Sequence, residues 1–252
     1  MNGKIALITG GSRGLGKNMA LSLAQKGANV VLTYHSKQEA AQAVVKEIQG
    51  MGQKAATLQL DVAKVDTYDA FIGSFTQLLN SEFGSESFHY LVNNAGIGIH
   101  AEYTEMAEEQ FDLLMNIHLK SAFFLTQKTL PLLSDGGSIL NISTGLARFT
   151  LPGYGAYAAM KGGVETLTKY QAKTLGSRGI RVNVLAPGAI ETDFGGGGVR
   201  DNPQVNQYIA SQTALGRVGL PDDIGSIVAF LGSEEAKWIT GQRIEASGGM
   251  FL

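Results

Sequence analysis

Short apolar, β-branched runs alternate along the chain with longer stretches in which apolar side chains recur every three or four positions. Ile5 to Thr9 reads as a buried strand, and Leu15 to Lys26 behind it as an amphipathic helix. Asn29 to Tyr34 predicts a second strand, and Glu39 to Met51 a second helix closed by Gly52. A third strand over Ala55 to Leu60 leads to a helical run from Thr67 to Asn80, and Leu91 and Val92 end a fourth strand before Asn93. Ser138 to Ile142 and Arg181 to Leu185, flanked by helical patterns, predict two more strands, and Arg243 to Ala246 a last one. Strands apolar along their whole length are buried on both faces. With helices between them, that predicts an α/β fold: one doubly wound parallel sheet covered by helices on both sides. Asp193 to Asn206 fits neither pattern and carries four consecutive glycines, Gly195 to Gly198. It predicts a mobile loop around residues 193–215, either a lid over a site or a plain surface segment.

The chain has 252 residues, a size that one core can organise, so a single domain over 1–252 is expected. A formal net charge of -2 leaves no broad basic field, which argues against nucleic acid or an anionic membrane as partner. No cysteine is present, which removes disulfides, thiolate nucleophiles and zinc–thiolate sites. The first residues, MNGKIALITGG, lack the long apolar stretch of a secretory signal, and no segment is apolar for long enough to span a bilayer. A cytoplasmic location is expected.

Thr9-Gly10-Gly11-Ser12-Arg13-Gly14-Leu15-Gly16 joins the first strand to the first helix. Gly10 allows a tight turn, Gly14 lets the backbone approach a pyrophosphate, and Gly16 lets helix and sheet pack closely. Free N–H groups at the helix start then face the phosphates. At this junction the pattern points to a dinucleotide, and a nucleoside-triphosphate loop is excluded because no Lys-Ser/Thr pair follows.

Together with Asp61-Val62, Asn93-Asn94-Ala95-Gly96, Asn116, Ser143, Tyr157-x-x-x-Lys161 and Pro187-Gly188, this junction resembles the compact branch of the short-chain dehydrogenase/reductase family. Within it the motifs are most similar to 3-oxoacyl-(acyl-carrier-protein) reductase-like enzymes. The resemblance covers essentially the whole chain and implies a Rossmann-type domain that moves a hydride between a nicotinamide cofactor and a ketone or secondary alcohol. A carboxylate at the end of the second strand would bind a ribose 2′-hydroxyl and repel a 2′-phosphate. Tyr34 stands there instead, followed by His35, Ser36 and Lys37, and Arg13 adds charge from the glycine loop. NADP (NADPH) is therefore expected over NAD. The resemblance implies that Gly10, Ser12, Arg13, Gly14, Leu15, Gly16, Tyr34, His35, Ser36, Asp61, Val62, Asn93, Ala95, Gly96, Tyr157, Lys161, Pro187, Gly188, Ile190 and Thr192 surround the cofactor. Asp61 and Val62 would touch the adenine, and Asn93, Ala95 and Gly96 would form the wall beside the ribose.

Reduction of a carbonyl needs a hydride on carbon and a proton on oxygen. A tyrosine, with an unperturbed pKa of about 10, needs roughly 4 kcal/mol of preferential phenolate stabilisation to work near neutrality. A fixed ammonium and a positive nicotinamide ring supply it. Tyr157 and Lys161 share one helix face. Ser143 ends the fifth strand, where doubly wound sheets open their crevice, and is expected to hold the substrate oxygen beside the phenol. Asn116 resembles the family residue that bends its helix and holds a relay water to the lysine.

Tyr154 lies seven positions before Lys161, a feature of the family's enoyl reductases; with Ser143 and Tyr157 both present it reads as a pocket wall. Met160 reads as packing. His35, His89, His100 and His118 lack metal-like spacing, so no metal site is expected and surface or core roles fit them. His100 and Arg148 could line the entrance or play structural parts. Further pocket candidates are Ile97 to Ile99, Thr144 to Leu151, Tyr154, Ala189 and Ile190. A carrier-protein substrate would need basic docking residues. The basic cluster of the matching reductases gives way here to Leu133-Ser134-Asp135-Gly136-Gly137, which speaks against carrier-protein docking, although Lys173 keeps a second position. Small ketones, oxo-esters, sugars and polycyclic ketones remain open. The resemblance also implies a homotetramer, built on two long helices and the C-terminal strand. The C-terminal Ala246-Ser247-Gly248-Gly249-Met250-Phe251-Leu252 matches that strand region, with Ser247 where Asp is common. A non-catalytic cofactor-sensing regulator is the rival from another class, and it has little need of Ser143, Tyr157 and Lys161 together.

Overall fold

A computed structural model describes residues 1–252. Seven strands form one parallel sheet: β1 Ile5–Ile8, β2 Asn29–Tyr34, β3 Ala55–Gln59, β4 Phe88–Asn93, β5 Leu133–Ile142, β6 Arg181–Pro187 and β7 Arg243–Ala246, in the order β3-β2-β1-β4-β5-β6-β7. The order reverses between β1 and β4, the switch point at whose carboxyl ends such sheets open a crevice. The helices on both sides are α1 Gly14–Gln25, α2 Gln38–Gly50, α3 Tyr68–Leu78, α4 Glu108–Leu114, α5 Ser121–Thr129, α6 Gly155–Leu175, α7 Gly198–Asp201, α8 Pro203–Ser211 and α9 Asp222–Gly232.

Alternate residues of each strand feed opposite cores. Ala6, Ile8, Val30, Leu32, Leu140 and Leu185 pack under α1, α2 and α9, while Leu7, Val31, Leu91, Ile139 and Val182 pack under α3, α5 and α6. This is why the strands read as continuous apolar runs rather than as alternating ones.

Three segments depart from the sequence pattern. β5 begins at Leu133, earlier than the apolar run suggests, because Leu133 pairs with Phe88 across an irregularity in the ladder; Arg178 binds the Leu130 carbonyl at 3.1 Å and the Leu133 carbonyl at 2.5 Å beside it. Between α4 and α5 the chain takes a π-helical turn over Met115–Lys120. The glycine-rich stretch after Asp193 is folded: a tight turn over Phe194–Gly197 leads into α7 and α8. Its glycines adopt positive φ (Gly195 60°, Gly196 80°, Gly197 80°) and so make the turn. Asn202 caps α8 by accepting from the Gln204 N–H at 3.0 Å and the Val205 N–H at 3.2 Å, with Pro203 in the first turn. No helix is long and apolar enough to cross a membrane.

Candidate active site

The glycine loop is built at the carboxyl end of β1. Thr9 Oγ1 accepts from the Asn94 and Ala95 N–H groups, both at 2.9 Å, and the Asn94 amide donates to the carbonyls of Thr9 at 2.9 Å and Gly10 at 3.2 Å. The end of β4 thus clamps the loop. Gly16 presses α1 against it so closely that a Cβ would lie 2.1 Å from the Gly10 carbonyl oxygen. Gly10 (φ 66°) and Gly14 (φ 54°) hold left-handed conformations, which leaves bare backbone at the start of α1. Thr192 from the end of β6 closes over Gly14, where a Cβ would meet it at 3.6 Å. Ser12 and Leu15 are half-buried in the same loop, and Arg13 reaches out to Asp193 at 3.7 Å. A backbone cradle with a guanidinium at its lip fits a dinucleotide carrying a further phosphate.

Two expected cofactor residues stand differently. Tyr34 is buried in the core under α1 and α2, because the last residue of β2 still faces that layer; exposed His35 and Ser36 follow it at the surface. His35 lies 3.6 Å from Asp61. Asn93 turns its amide inward, to Thr126 at 3.0 Å and Asn141 at 2.8 Å, so the loop clamp is its neighbour Asn94. The repeated Asn in Asn93-Asn94-Ala95-Gly96 was the clue, and strand alternation decides which of the two faces the loop. Asp61, Val62, Ala95 and Gly96 lie on this side of the sheet end, with Val62 buried and its carbonyl accepting from the Tyr68 hydroxyl at 2.7 Å. Pro187 ends β6, Gly188 packs so that a Cβ would lie 2.8 Å from Ser247 Cα, and Ile190 bridges to Gly219.

Tyr157 and Lys161 lie in the first two turns of α6, both buried. Lys161 Nζ donates to the Ile142 carbonyl at 2.6 Å and stands 5.7 Å from the centre of the Tyr157 ring. Against the lowering expected from the sequence, burial raises the Tyr157 phenol above its ordinary value; the Thr144 hydroxyl pulls it back, and Tyr154 adds to the rise. Burial pushes the Lys161 amine down to about 7.

The hydroxyl at the phenol belongs to Thr144. Ser143 points the other way, donating to Glu165 Oε1 at 2.7 Å, while Thr144 Oγ1 accepts the Leu146 N–H at 3.2 Å and lies on the side of the Tyr157 phenol, favouring its ionised form. Consecutive residues of an extended chain face opposite sides, so only one of this pair can meet the phenol. The expectation for Ser143 is corrected on that geometry.

Asn116 lies in the π-helical turn itself. It is half-buried and makes no side-chain hydrogen bond; its carbonyl accepts the Ser121 N–H across the π-helical turn. The turn also carries His118 to the site: its buried ring lies edge-on to Tyr157, centres 5.1 Å apart, and Nε2 lies 2.8 Å from the Ile97 carbonyl. A scattered histidine in the sequence is thus a neighbour of the reactive pair. Met160 packs against Tyr157 and Leu114 as expected of a core residue.

Around the mouth, Phe194 covers Tyr157 with ring centres 5.8 Å apart, Tyr154 meets His100 edge-on at 5.1 Å, and Phe149 meets Phe251 at 4.9 Å. Arg148 is not free to meet a substrate: it holds Glu245 at 2.6 and 2.7 Å and the carbonyls of Met250 and Phe251 at 2.7 and 3.2 Å. Arg243 completes the chain of charges, binding Glu245 at 2.7 Å, Glu165 at 2.8 Å and the Thr144 carbonyl at 3.3 Å.

A glycine cradle at the switch point, with a buried tyrosine–lysine pair beside it, defines a nucleotide-dependent oxidoreductase site on a Rossmann-type sheet. The chain belongs to the short-chain dehydrogenase/reductase family: residues 10–251 match the family model described as enoyl-(acyl carrier protein) reductase. It is 40% identical over 253 residues to the 3-oxoacyl-[acyl-carrier-protein] reductase FabG of Staphylococcus aureus, covering 99% of this chain and 98% of that protein. Among solved structures it is similar to the promiscuous reductase LugOII, which catalyses keto-reduction at C1 during lugdunomycin biosynthesis (TM-score 0.94, 36% identity, 100% of this chain and 98% of the other). It is also similar to the angucycline C-6 ketoreductase LanV with bound NADP (TM-score 0.94, 35% identity, 100% and 96% covered).

Proposed function

We propose that the protein reduces a ketone to a secondary alcohol with NADPH, Tyr157 giving the proton. The buried Tyr157 phenol, faced by the equally buried Lys161 at 5.7 Å and with the Thr144 hydroxyl on its other side, carries this reading. Burial keeps the phenol protonated at neutral pH, the form that gives a proton, and the positive charge of Lys161 and of the nicotinamide ring would ease its release. Thr144 holds the substrate oxygen against it, in the role expected of Ser143. Lys161, titrating near 7, exchanges protons close to neutrality, where a relay group works best. The bound cofactor supplies the hydride. Gly10, Gly14 and Gly16 hold its pyrophosphate on bare backbone, and Arg13 with His35 and Ser36 receives the 2′-phosphate.

The substrate is a planar aromatic or polycyclic ketone. Phe194, Tyr154 and His100 line the mouth with flat rings, and similar proteins of known structure act on angucycline-type ketones. A second reading, reduction of a 3-oxoacyl thioester, is favoured by the full-length likeness to FabG. Against it, the segment before the apolar part of β5 offers Asp135, paired with Arg178 at 2.7 Å, in place of a basic cluster. The segment around residues 193–215 acts as the lid, since Phe194 already lies over Tyr157. The assembly is a homotetramer, in which exposed Phe123 on α5 and Tyr170 on α6 are covered.

NADPH oxidation measured against polycyclic ketones, small ketones, oxo-esters and oxo-thioesters tests the proposal. Turnover of ketones but not of carrier-bound thioesters is expected. Cofactor binding without turnover of any carbonyl would favour a regulator.

A further inference from the structure

His118 is 3% exposed and wedged beside Gly96, where a Cβ would lie 2.7 Å from its Cε1. Its Nε2 stands 2.8 Å from the Ile97 carbonyl. The Ile97 N–H also approaches Nε2, at 3.4 Å, but the carbonyl is much the nearer partner and only accepts; the shorter contact puts the ring proton on Nε2 and leaves Nδ1 a bare acceptor. Nδ1 is buried and has no hydrogen-bond partner in the protein. Buried acceptors in native proteins are met, commonly by an internal water. His118 and Lys161 together line an enclosed cavity with room for about one water, and no other residue lining it is titratable. Thr9, Asn93 and Ser121 contribute its remaining polar side chains.

We propose that His118 is a positioning residue of the proton pathway: one water in this cavity donates to Nδ1 and accepts from the Lys161 ammonium, holding it toward Tyr157. This rests on the ketone-reductase reading above. No proton is lost to His118 in the cycle. The proton that Tyr157 gives to the substrate oxygen is replaced from Lys161, and the water keeps the lysine in place while it is reloaded.

The groups facing the imidazole are Tyr157 and Lys161 from α6 and the Ile97 carbonyl from the segment after β4; none is a carboxylate. Burial and the Lys161 charge hold the imidazole well below its ordinary value, so it is neutral at pH 7. Protonation turns Nδ1 from acceptor to donor and sets a second cation beside Lys161. Activity is therefore lost on acidification, well below pH 6.5.

Three measurements on the full chain test this. His118→Phe keeps a flat ring but no acceptor, and kcat should fall, by up to about 10²-fold, with NADPH affinity and substrate KM unchanged. His118→Asn keeps an acceptor near the Nδ1 position, so most of kcat should return while the acid limb of its pH profile disappears. In the unaltered protein, ¹⁵N-histidine NMR should show neutral His118 protonated at Nε2, with Nδ1 accepting a hydrogen bond. An Nδ1–H tautomer, or wild-type kcat and pH profile in His118→Phe, overturns the proposal. The NMR result stands even where the variants do not fold. Absence of ketone reduction in the unaltered protein would instead remove the functional reading, leaving the hydrogen bond at Nδ1 to be judged by NMR.

Discussion

The Ser143 hydroxyl donates to Glu165 at 2.7 Å, whereas the Thr144 hydroxyl, one residue on, lies on the side of the Tyr157 phenol. The proposed function gives the threonine, not the serine, the task of holding the substrate oxygen. Thr144→Val should lower kcat about 10²-fold, the usual cost of losing one donor at a reacting oxygen. Thr144→Ser should keep most activity. Ser143→Ala should cost about 1 kcal/mol of stability through its buried hydrogen bond and leave kcat within a few-fold. Steady-state kinetics on the three variants decide it, and collapse of activity in Ser143→Ala alone would return the role to the serine.

Arg13 is the only basic side chain of the glycine loop, and its present partner is Asp193, 3.7 Å away in the segment that carries Phe194. A 2′-phosphate competes with that carboxylate for the guanidinium. Arg13→Ala should therefore raise KM for NADPH far more than for NADH, while Asp193→Asn should lower KM for NADPH. The exposed pair is worth no more than about 1 kcal/mol, so the Asp193 effect should be a few-fold at most. Equal kcat/KM for both cofactors in the unaltered enzyme would exclude the selectivity.

Strand and helix alternation was legible because the inner strands β1, β2, β4 and β6, and the apolar part of β5, are buried on two faces, and the glycine junction because its spacing is set by backbone geometry. Tyr157 and Lys161 were legible as a pair because four residues of helix bring side chains onto one face. Ser143 against Thr144 was not, since one residue of extended chain decides which hydroxyl meets the phenol. The place of His118 beside Tyr157 was not either: a π-helical turn rotates side chains away from the positions that 3.6 residues per turn would give. The segment after Asp193 hid its helices because its glycines dominate the composition, although Asn202-Pro203 is a helix start.

Lys161 makes stability depend on pH. Its ordinary value is 10.5 and burial brings it to about 7. Between those values the unfolded chain holds the proton that the folded chain has released, so stability rises with pH across this window, and the burial penalty is complete below it. Tyr157 and Tyr68, both raised, act in the opposite sense only above their ordinary value of 10. Lys161→Met removes the lysine's part. Without cofactor, the variant's gain in Tm over the unaltered protein should be larger at pH 6.5 than at pH 9.5. The same gain at both would show that the lysine is solvated.

Tyr170 is 72% exposed on α6 and Phe123 47% exposed on α5, too much aromatic surface for two solvated helices to carry idly. If copies of the chain cover them in a homotetramer, Tyr170→Glu with Phe123→Glu buries unpaired charge at that face. Light scattering should show the mass fall from tetramer toward dimer. A monomeric unaltered protein would contradict the assembly.

The two tyrosines separate carbonyl from alkene reduction. Tyr157 lies against Lys161 and Thr144, while Tyr154 is half-buried at the mouth with its ring edge-on to His100 at 5.1 Å. If Tyr157 delivers the proton, Tyr157→Phe removes the donor and keeps the packing against Met160 and Leu114, so fold and NADPH affinity should survive. General acid–base catalysis is typically worth about 10²–10⁴-fold, and ketone reduction should fall by that range. Tyr154→Phe loses only a hydroxyl at the pocket wall, so substrate KM should change more than kcat. The family model carries an enoyl-reductase description, and for that chemistry the order would reverse: Tyr154→Phe would be the damaging change and a conjugated double bond the substrate. Assays of both variants with a ketone and with a conjugated enoyl thioester distinguish the two. Nearly full ketone reduction by Tyr157→Phe would refute the assignment of the proton to Tyr157, because no other phenol lies beside Lys161.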